Sequence, residues 1–175
     1  AYAVDTAGDP RAYWAARSAN TRRALKTKRR LAERRGIRYE SGDGFDSETL
    51  EVLCRLHDVR WGAAGMPPRG REFLRRLAAT PAAEFVLRTS LLRAEGAPVS
   101  ASLNLDCGRA VYNLQGGFVP DWDARLSLGK LHVGYEIDAC FAQGRRCFDM
   151  LVGRGMKCDY KASIATAATP VASLW

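Results

Sequence analysis

Apolar residues in the first half of the chain recur at helical spacing. Asp46-Ser47 is a suitable N-terminal cap, and the stretch that follows predicts a helix ending at Trp61. A second helix is predicted around Phe73–Leu77, ending before Pro81. The first of these helices presents one broad face made of Leu50, Leu53, Cys54, Leu56, His57, Arg60 and Trp61.

The chain before these two helices is also largely helical. Asp9-Pro10 is a suitable helix start, because Asp caps the first turn and Pro fits into it. Helical sequence continues to about Arg35, and we expect a break near Ser18–Asn20. A strand at Tyr2–Val4 precedes this region, and a short strand at Ile37–Glu40 follows it.

In the second half of the chain, apolar residues begin to recur at every second position, a spacing that is typical of strands. Phe85–Arg93 is the first predicted strand. In the next, Val99–Leu105, apolar residues alternate with Ser and Asn, which predicts a strand with one face in water. A third strand at Ala110–Val119 contains Gln115-Gly116-Gly117, and paired glycines in a strand indicate a bulge or a close backbone approach. The polar positions of the middle strand are Ser100, Ser102 and Asn104.

The last third of the chain contains one helix between extended segments. The helix is predicted from Ser127 to about Ala142, and Arg146–Val152 is predicted as a short buried strand that contains Asp149. Ile164–Trp175 is predicted as a final strand or pair of strands. Helices, a three-strand meander, a helix and a strand in this order predict an α+β fold.

Length and composition indicate one globular domain. The chain has 175 residues, of which 47% are hydrophobic and 26% charged, so it is long enough to bury its own core. We expect residues 1–175 to form a single domain. Neither an apolar run of about 18 residues nor a signal-like segment is present, which predicts a cytoplasmic protein. Because Tyr2–Val4 starts a strand at once, we also expect that an upstream half of a longer protein is missing.

The cysteines do not indicate a metal or disulfide framework. There are five of them, an odd number, and none forms a C-x-x-C pair. We therefore predict no metal site and expect the cysteines to be reduced core residues.

Positive charge is concentrated in one segment. The net charge is +8, yet residues 11–38 hold eleven of the 27 Lys and Arg with a single acid, Glu33, so this segment alone carries +10. The basicity therefore belongs to one surface, mainly the predicted helix 17–35 with Arg22 and Arg23. Two interpretations are open. The helix has a solvated face, or it binds an anionic partner: tRNA, a nucleotide-sugar, a membrane surface or an acidic upstream domain.

Four short motifs carry a resemblance to a known family. They are SANTRRALK at residues 18–26, LHDVRW at 56–61, SLGKL at 127–131, and FDMLVG at 148–153 followed by Tyr160-Lys161. In this order and spacing they resemble the GNAT-type acyltransferases, in the FemAB-like and CelD-like (cellulose biosynthesis protein CelD) branch, and in particular a catalytic C-terminal half. Two departures concern the phosphate-binding loop: Leu128 stands where the branch usually has Pro, and Gly129 is the only glycine of the loop.

The resemblance implies a GNAT fold: a mixed, mostly antiparallel central sheet flanked by helices, with a V-shaped splay between two strands. The splayed strands would be Val111–Phe118 and Cys147–Val152, and acetyl-CoA or another acyl-CoA would be the co-substrate. Its pantetheine arm would lie between these strands, and its pyrophosphate at the start of the following helix. The residues implied in cofactor binding are Gln115, Gly116, Gly117, Ser127, Leu128, Gly129, Lys130 and Leu131.

The expected reaction is attack of a primary amine on a thioester. Such a reaction needs a group that takes a proton from the amine and another that protonates the departing thiolate. Tyr160 resembles the GNAT position that protonates the thiolate; otherwise it is a Tyr packed at a helix start. Asp149, in an otherwise apolar strand, is either a base or the partner of Lys161 or Arg60. His57 is either a catalytic group or a satisfied core histidine.

Several cationic and aromatic residues are candidates for holding the substrate. Arg60 is suited to a carboxylate or phosphate, and His132, in the first turn of the helix after Gly129, is expected near the diphosphate. The substrate-binding candidates are Arg60, Trp61, Lys161, Arg22 and Arg23.

Three functions fit these observations. The first is an acyl-CoA-dependent N-acyltransferase acting on a small-molecule or sugar amine, in cell-surface polysaccharide or envelope metabolism. The second is a FemAB-like transferase that takes its acyl group from aminoacyl-tRNA, uses the basic helix, and does without a good pyrophosphate loop. The third is a non-catalytic GNAT-like accessory protein that binds a partner.

Overall fold

Within the described part of the chain, seven strands form one mixed sheet in the order β2-β3-β4-β5-β6-β1-β7. The computed structural model describes residues 1–62, 65–80, 82–151 and 159–171. The strands are β1 (Tyr2–Asp5), β2 (Arg38–Asp43), β3 (Val86–Ala94), β4 (Ala97–Asp106), β5 (Ala110–Phe118), β6 (Cys147–Asp149) and β7 (Ala167–Ala168). The helices are α1 (Pro10–Ala15), α2 (Ala19–Arg34), α3 (Ser47–Trp61), α4 (Pro68–Ala79), α5 (Leu128–Ala142) and α6 (Asp159–Ile164).

The helix starts follow the capping residues seen in the sequence. The Asp46 side chain accepts the Thr49 amide at 2.8 Å and begins α3. Ser18 accepts the Thr21 amide at 3.2 Å, which separates α2 from α1 and confirms the predicted break. At the C-terminus, only β7 forms within the predicted 164–175 segment, and residues 172–175 lie outside the described part.

The sheet opens between β5 and β6, the only two parallel neighbours among the described strands. All other strand pairs are antiparallel, and α5 makes the crossover from β5 to β6. Val111 pairs with Phe148 and Tyr112 with Asp149, where the pairing of the two strands ends. Beyond Tyr112, β5 continues to Phe118, so its outer edge has no strand partner among the described residues. This is the predicted V-shaped splay, although β6 is shorter than expected and residues 152–158 are not described.

Helices cover both faces of the sheet. On one face α3 and α4 pack against β3 and β4, and this core includes Leu53, Leu56, Leu74, Ala101 and Leu103. On the other face α5, with α1 and α2, packs over two further clusters. Within the described part of the chain, no helix has both the length and the apolarity needed to cross a membrane.

The polar face of β4 is buried, so the prediction of one face in water is wrong. Ser100, Ser102 and Asn104 are 2%, 7% and 2% exposed. They lie on the face covered by α5, which presents the polar residues His132 and Glu136 to them. Alternation of polar and apolar residues is the same for a wet face and for a buried polar layer, and here the covering helix decides which one forms.

The basic helix α2 packs against α5 and uses part of its charge for the fold. The Gly134 Cα lies so close to Leu25 that an added Cβ would come within 2.9 Å of it. Arg29 donates to the Gly134 carbonyl at 3.1 Å and pairs with Asp138. Arg22 donates to the carbonyl oxygens of Ala15 and Arg17. The exposed bases of α2 include Arg23, Lys26, Arg30 and Arg34, which we name the basic stripe.

Candidate active site in the splay

A cavity of about 610 Å³ occupies the splay between β5 and β6. Both faces of the sheet contribute to its walls, because the strands part here. The side chain of His57 reaches it from α3, and those of His132 and Glu136 reach it from α5. Tyr160 and Lys161 close one side from α6. The cavity is large enough for a small ligand or the arm of a larger one.

Nine of the sequence-predicted site residues come together at this cavity, and seven do not line it. The residues that line it are His57, Arg60, Trp61, Gln115, Gly116, Gly117, Gly129, Tyr160 and Lys161. The others are Asp149, Ser127, Leu128, Lys130, Leu131, Arg22 and Arg23.

The predicted phosphate loop contributes one residue to the cavity. Leu128 and Leu131 are 2% and 0% exposed and belong to the hydrophobic core beneath α5, so their side chains are unavailable to a ligand. Ser127 adopts a left-handed backbone (φ 52°), and its carbonyl accepts the amides of Lys130 and Leu131. Only Gly129 reaches the cavity, at the first turn of α5.

The two glycines of β5 have different surroundings. A Cβ at Gly117 would lie 2.4 Å from the backbone nitrogen of His57, so α3 packs directly on this residue. A Cβ at Gly116 would meet only the Ala101 carbonyl oxygen, at 3.6 Å. The close approach predicted from the pair therefore exists at Gly117, where the neighbour is a helix and not a ligand. Gly116 leaves open space beside the cavity.

Arg60 is held against the cavity wall by two rings and a carbonyl. Its guanidinium lies 4.5 Å from the Trp61 ring centroid and 4.4 Å from that of Phe118, and it donates to the Gly116 carbonyl at 3.2 Å. Burial lowers the pKa of Arg60, while the nearby Tyr160 raises it. A guanidinium remains charged at neutral pH, so Arg60 supplies a fixed positive charge beside Tyr160.

His57 lines the cavity and has one buried ring nitrogen without a hydrogen-bond partner in the described part of the chain. The residue is buried, and its Nδ1 has no hydrogen-bond partner among the described residues. Burial lowers the pKa of His57 below its ordinary value, against the opposing effect of the Asp58 carboxylate. Asp58 itself pairs with Arg71 and accepts the Met66 amide. His57 is therefore neutral at pH 7 and suited to accept a proton.

Asp149 has a structural contact that the sequence did not suggest. Its carboxylate accepts the Leu151 amide at 2.7 Å and fixes the turn after β6, where Leu151 has a positive φ of 53°. The Lys161 ammonium donates to the Met150 carbonyl at 2.6 Å, and Arg60 donates to Gly116. The rest of the FDMLVG motif, Val152 and Gly153, lies outside the described residues.

Sequence reasoning missed a buried polar layer beneath the cavity. His132 Nδ1 lies 2.7 Å from the Ser100 hydroxyl, and its Nε2 lies 2.8 Å from the Ser90 hydroxyl. Ser90 also hydrogen-bonds Glu136. Both ring nitrogens of His132 are thus bonded to hydroxyl groups of the sheet, and its place near a diphosphate stays a prediction. One sequence pattern could have indicated this layer: a His and a Glu lie four residues apart on α5, and Ser and Asn alternate with apolar residues on β4.

A second, smaller cavity of about 100 Å³ lies on the other side of Glu136. Tyr39, Asp43, Arg88 and Ser90 are among its lining residues. Glu136 lines both cavities and therefore separates them.

The mixed sheet opens between two parallel strands and holds a cavity in the opening. This architecture agrees with the GNAT fold that the sequence motifs imply. The GNAT acetyltransferase domain matches residues 19–162. The chain therefore belongs to the GNAT acetyltransferase family. No curated protein matches the chain, and its assignment to the FemAB-like or CelD-like branch stays a prediction.

Two solved structures share this fold at low sequence identity. L-PGS from Bacillus licheniformis superposes with a TM-score of 0.59 at 15% identity, covering 85% of this chain and 43% of that one. The C-terminal domain of a protein described as a lysylphosphatidylglycerol synthetase, from Agrobacterium fabrum, gives 0.54 at 10% identity, covering 85% and 45%. The chain thus spans less than half the length of either structure, and the likeness shows the fold alone.

Proposed function

We propose that this protein transfers an acyl group from an acyl-CoA thioester to a primary amine. The observation that carries the proposal is the cavity in the splay, where the edge of β5 beyond Tyr112 has no strand partner among the described residues. An extended ligand arm can bind such an edge as an added strand would. Gly116 leaves room beside this edge, since a Cβ there would contact only one backbone oxygen.

The residues present fit a CoA donor in part. The arm would lie along Gln115 and Gly116, and the diphosphate would approach the first turn of α5 at Gly129. Lys130 would add a point charge at this turn, although it does not line the cavity. CoA would supply the activated thioester, and the walls around Arg60 would orient it.

The chemistry requires two protons to leave the amine nitrogen. An ammonium first loses one proton to become a nucleophile. After the nitrogen attacks the thioester carbon, it loses a second proton as the C–S bond breaks and the amide forms. We assign the second proton to the imidazole of His57, which lines the cavity, because the ring is neutral and its Nδ1 has no hydrogen-bond partner among the described residues. Tyr160, beside the Arg60 charge, would protonate the departing thiolate.

Binding of acetyl-CoA should raise the melting temperature of this protein. Ligand at about 100 times its dissociation constant adds roughly 2.7 kcal/mol to the free energy of unfolding. Gly129→Val should abolish most of the shift, because an added Cβ would meet the Phe118 ring at 2.7 Å and crowd the helix start. The measurement is a thermal-shift titration with acetyl-CoA, longer acyl-CoAs and free CoA. An unchanged melting temperature with every CoA compound contradicts the proposal.

A second candidate function is aminoacyl transfer from aminoacyl-tRNA to a lipid headgroup. Two observations favour it: the basic stripe on α2, and the fold shared with a domain described as part of a lysylphosphatidylglycerol synthetase. Because only Gly129 of the phosphate loop reaches the cavity, a donor without a CoA diphosphate is also compatible with the site. The charged tRNA backbone would then bind the basic stripe, separately from the cavity.

Reversing charges on the basic stripe distinguishes this candidate. Arg23→Glu/Lys26→Glu should weaken tRNA binding and lower the slope of log affinity against log salt by roughly 1.8, at about 0.9 for each lost phosphate contact. Arg55→Glu/Arg69→Glu makes the same charge change at exposed positions of α3 and α4 and is the matched control. If salt titrations give equal tRNA binding for the two double variants, the basic stripe is a solvated helix face.

A non-catalytic accessory role is the third alternative. It predicts an intact fold without turnover for any combination of acyl donor and amine. Mass-spectrometric detection of acylated amine in the presence of acyl-CoA or aminoacyl-tRNA excludes it.

A further inference from the structure

Four buried side chains form an unbroken hydrogen-bonded chain below the cavity. The order is Ser100, His132, Ser90 and Glu136, with Ser100 to His132 Nδ1 at 2.7 Å and His132 Nε2 to Ser90 at 2.8 Å. Each of the four is 5% exposed or less. At its cavity end, the Ser100 hydroxyl also donates to the Gly117 carbonyl at 3.3 Å. Isolated polar groups are costly to bury, and here each is bonded.

Counting protons shows that this chain has two bonded states. The links from Gly117 through Ser100, His132 and Ser90 to Glu136 need one proton each, four in all. Two hydroxyls and a neutral imidazole supply three of them, and a protonated Glu136 supplies the fourth. All links then point the same way: Glu136 to Ser90, Ser90 to Nε2, and Nδ1–H to Ser100.

Removing the fourth proton reverses the direction of the chain. With Glu136 ionised, Ser90 donates to the carboxylate, Nε2–H donates to Ser90, and Ser100 donates to Nδ1. The imidazole of His132 is neutral in both states and differs only in its tautomer. A proton arriving at Ser100 therefore moves every proton by one position and leaves Glu136 protonated.

The two ends of the chain face different spaces. Ser100 lines the cavity in the splay, where the proposed amine would bind. Glu136 lines both this cavity and the smaller one. Asp43, which lines the smaller cavity, has a side chain that is 64% exposed.

The surroundings of Glu136 make its carboxylate a stronger proton acceptor than an exposed one. Burial raises the pKa of Glu136 above its ordinary range, and burial lowers the pKa of His132 to about 3. Burial likewise raises the pKa values of Tyr39 and Cys140, so both are neutral. The polar groups packed around Glu136 are Tyr39 of β2, Arg88 and Ser90 of β3, Ser102, Asn104 and Asp106 of β4, Asn113 of β5, and His132 and Cys140 of α5.

The charged groups at the far end neutralise one another. Asp106 is bound by Arg88 at 2.8 Å and by Arg145 at 2.9 Å. The Tyr39 hydroxyl is buried beside Glu136 without a hydrogen bond of standard geometry among the described residues. Glu136, whose pKa is raised by burial, is therefore the member of the chain that we expect to titrate.

We propose that Ser100, His132, Ser90 and Glu136 form a proton relay that carries the first proton of the acceptor ammonium from the cavity to Glu136. The inference rests on the proposed function, in which a primary amine is acylated. One N–H bond of the ammonium breaks, an O–H bond forms at Ser100, and the hydrogen bonds reverse until an O–H bond forms at Glu136. Glu136 then releases the proton to solvent through the smaller cavity.

Proton balance explains why a second route is needed beside His57. Acylation of an ammonium by a thioester yields an amide, a thiol and one free proton. The second proton from nitrogen ends on the thiol, by way of His57 and Tyr160. The first has no acceptor in the products and must leave the buried site. Ser100 is the residue that contacts the ammonium, and Glu136 acts through it as a terminal acceptor.

Imidazole ¹⁵N spectra test the relay without any substrate. The chain has two histidines, so His57→Asn leaves the signals of His132 alone for assignment. In the otherwise unchanged protein, His132 should switch from the Nδ1–H to the Nε2–H tautomer as the pH rises through the raised pKa of Glu136. The imidazole should not become charged at any point in this transition. One unchanged tautomer over the whole pH range in which the protein stays folded overturns the proposal.

Two variants show whether the switch depends on the relay. Glu136→Gln cannot ionise, so its His132 tautomer should be independent of pH. Ser90→Ala removes the hydroxyl between His132 Nε2 and Glu136 Oε1, which are 3.7 Å apart, and should uncouple the tautomer from the carboxyl group even if Glu136→Gln fails to fold. A tautomer switch that persists in either variant overturns the proposal.

Turnover distinguishes failure of the relay from failure of the proposed function. With acetyl-CoA and a panel of primary amines, Ser100→Ala and Glu136→Gln should lower kcat about 10²-fold and leave the CoA-induced thermal shift unchanged. Wild-type kcat in both variants overturns the relay while acyl transfer stands. A tautomer switch that follows Glu136 in a protein without CoA binding supports the relay and refutes the CoA donor.

Discussion

Gly117→Ala is expected to destabilise this protein by about 3 kcal/mol or more, the upper part of the range for overpacked cores. The added Cβ would lie 2.4 Å from the His57 nitrogen and 2.5 Å from the Leu56 carbonyl carbon. These are backbone atoms in the last turns of α3, and they cannot rotate away as a side chain would. The helix must shift as a unit, which disturbs the core it shares with β4 and β5.

Gly116→Ala is the matched control for this prediction. It makes the same chemical change one residue earlier in β5, where the new Cβ meets only the Ala101 carbonyl oxygen at 3.6 Å. Its stability should stay within about 1 kcal/mol of the wild type, because Ala is the better residue in a strand. For a chain of this length, the Gly117 variant should melt about 6–12 °C lower. Equal melting temperatures for the two variants would contradict the close packing of α3 on β5.

The glycine pair shows what the sequence can and cannot reveal. Two adjacent glycines in a strand predicted a close backbone approach, and Gly117 confirms it. The approaching atoms belong to His57 and Leu56, which are distant in sequence and lie on another element. Strand periodicity predicts that Gly116 and Gly117 face opposite ways, but it contains no information on which face α3 will cover. The resemblance to a ligand-binding strand therefore led us to assign both glycines to the ligand.

The phosphate loop shows the same limit at the level of a motif. The SLGKL match gave the correct place in the chain, since α5 begins at Leu128. Leu128 and Leu131 are three residues apart, so their side chains lie on one side of the helix and enter the core together. A motif fixes which residues lie at a turn. The direction of each side chain depends on the face that the core buries.

Secondary structure was largely predictable because the local signals agree with the packing. Capping by Asp46, the break near Ser18–Asn20, the apolar face of α3 and the alternation in β4 each predicted a feature that the structure contains. The buried polar layer was not predictable from β4 by itself. Its stability depends on His132 and Glu136 meeting Ser90, Ser100 and Asn104 across three elements, and this requires the tertiary fold.

His57→Gln is expected to lower kcat by about 10²- to 10⁴-fold in the acyl-transfer assay, the range for removal of a general base. Gln occupies a similar volume at the cavity but has no basic nitrogen, so donor binding and melting temperature should change little. Val59→Gln, at an exposed position two residues further along α3, is the control and should retain wild-type kcat. A kcat of His57→Gln near that of the control would assign His57 to core packing.

The pH dependence of kcat/KM distinguishes a role of His57 in proton transfer from a role in core packing. Transfer needs neutral His57, and burial lowers its pKa below the ordinary value of about 6.5. The neutral form therefore persists to lower pH than in an exposed histidine, so the part of the kcat/KM profile that depends on His57 should stay constant through neutral pH and fall only as the pH drops through this lowered pKa. In His57→Gln this acidic limb should disappear. In His57→Ala, added imidazole should restore part of kcat by filling the vacated space with a base, whereas a packing defect would not respond to the basicity of the added compound.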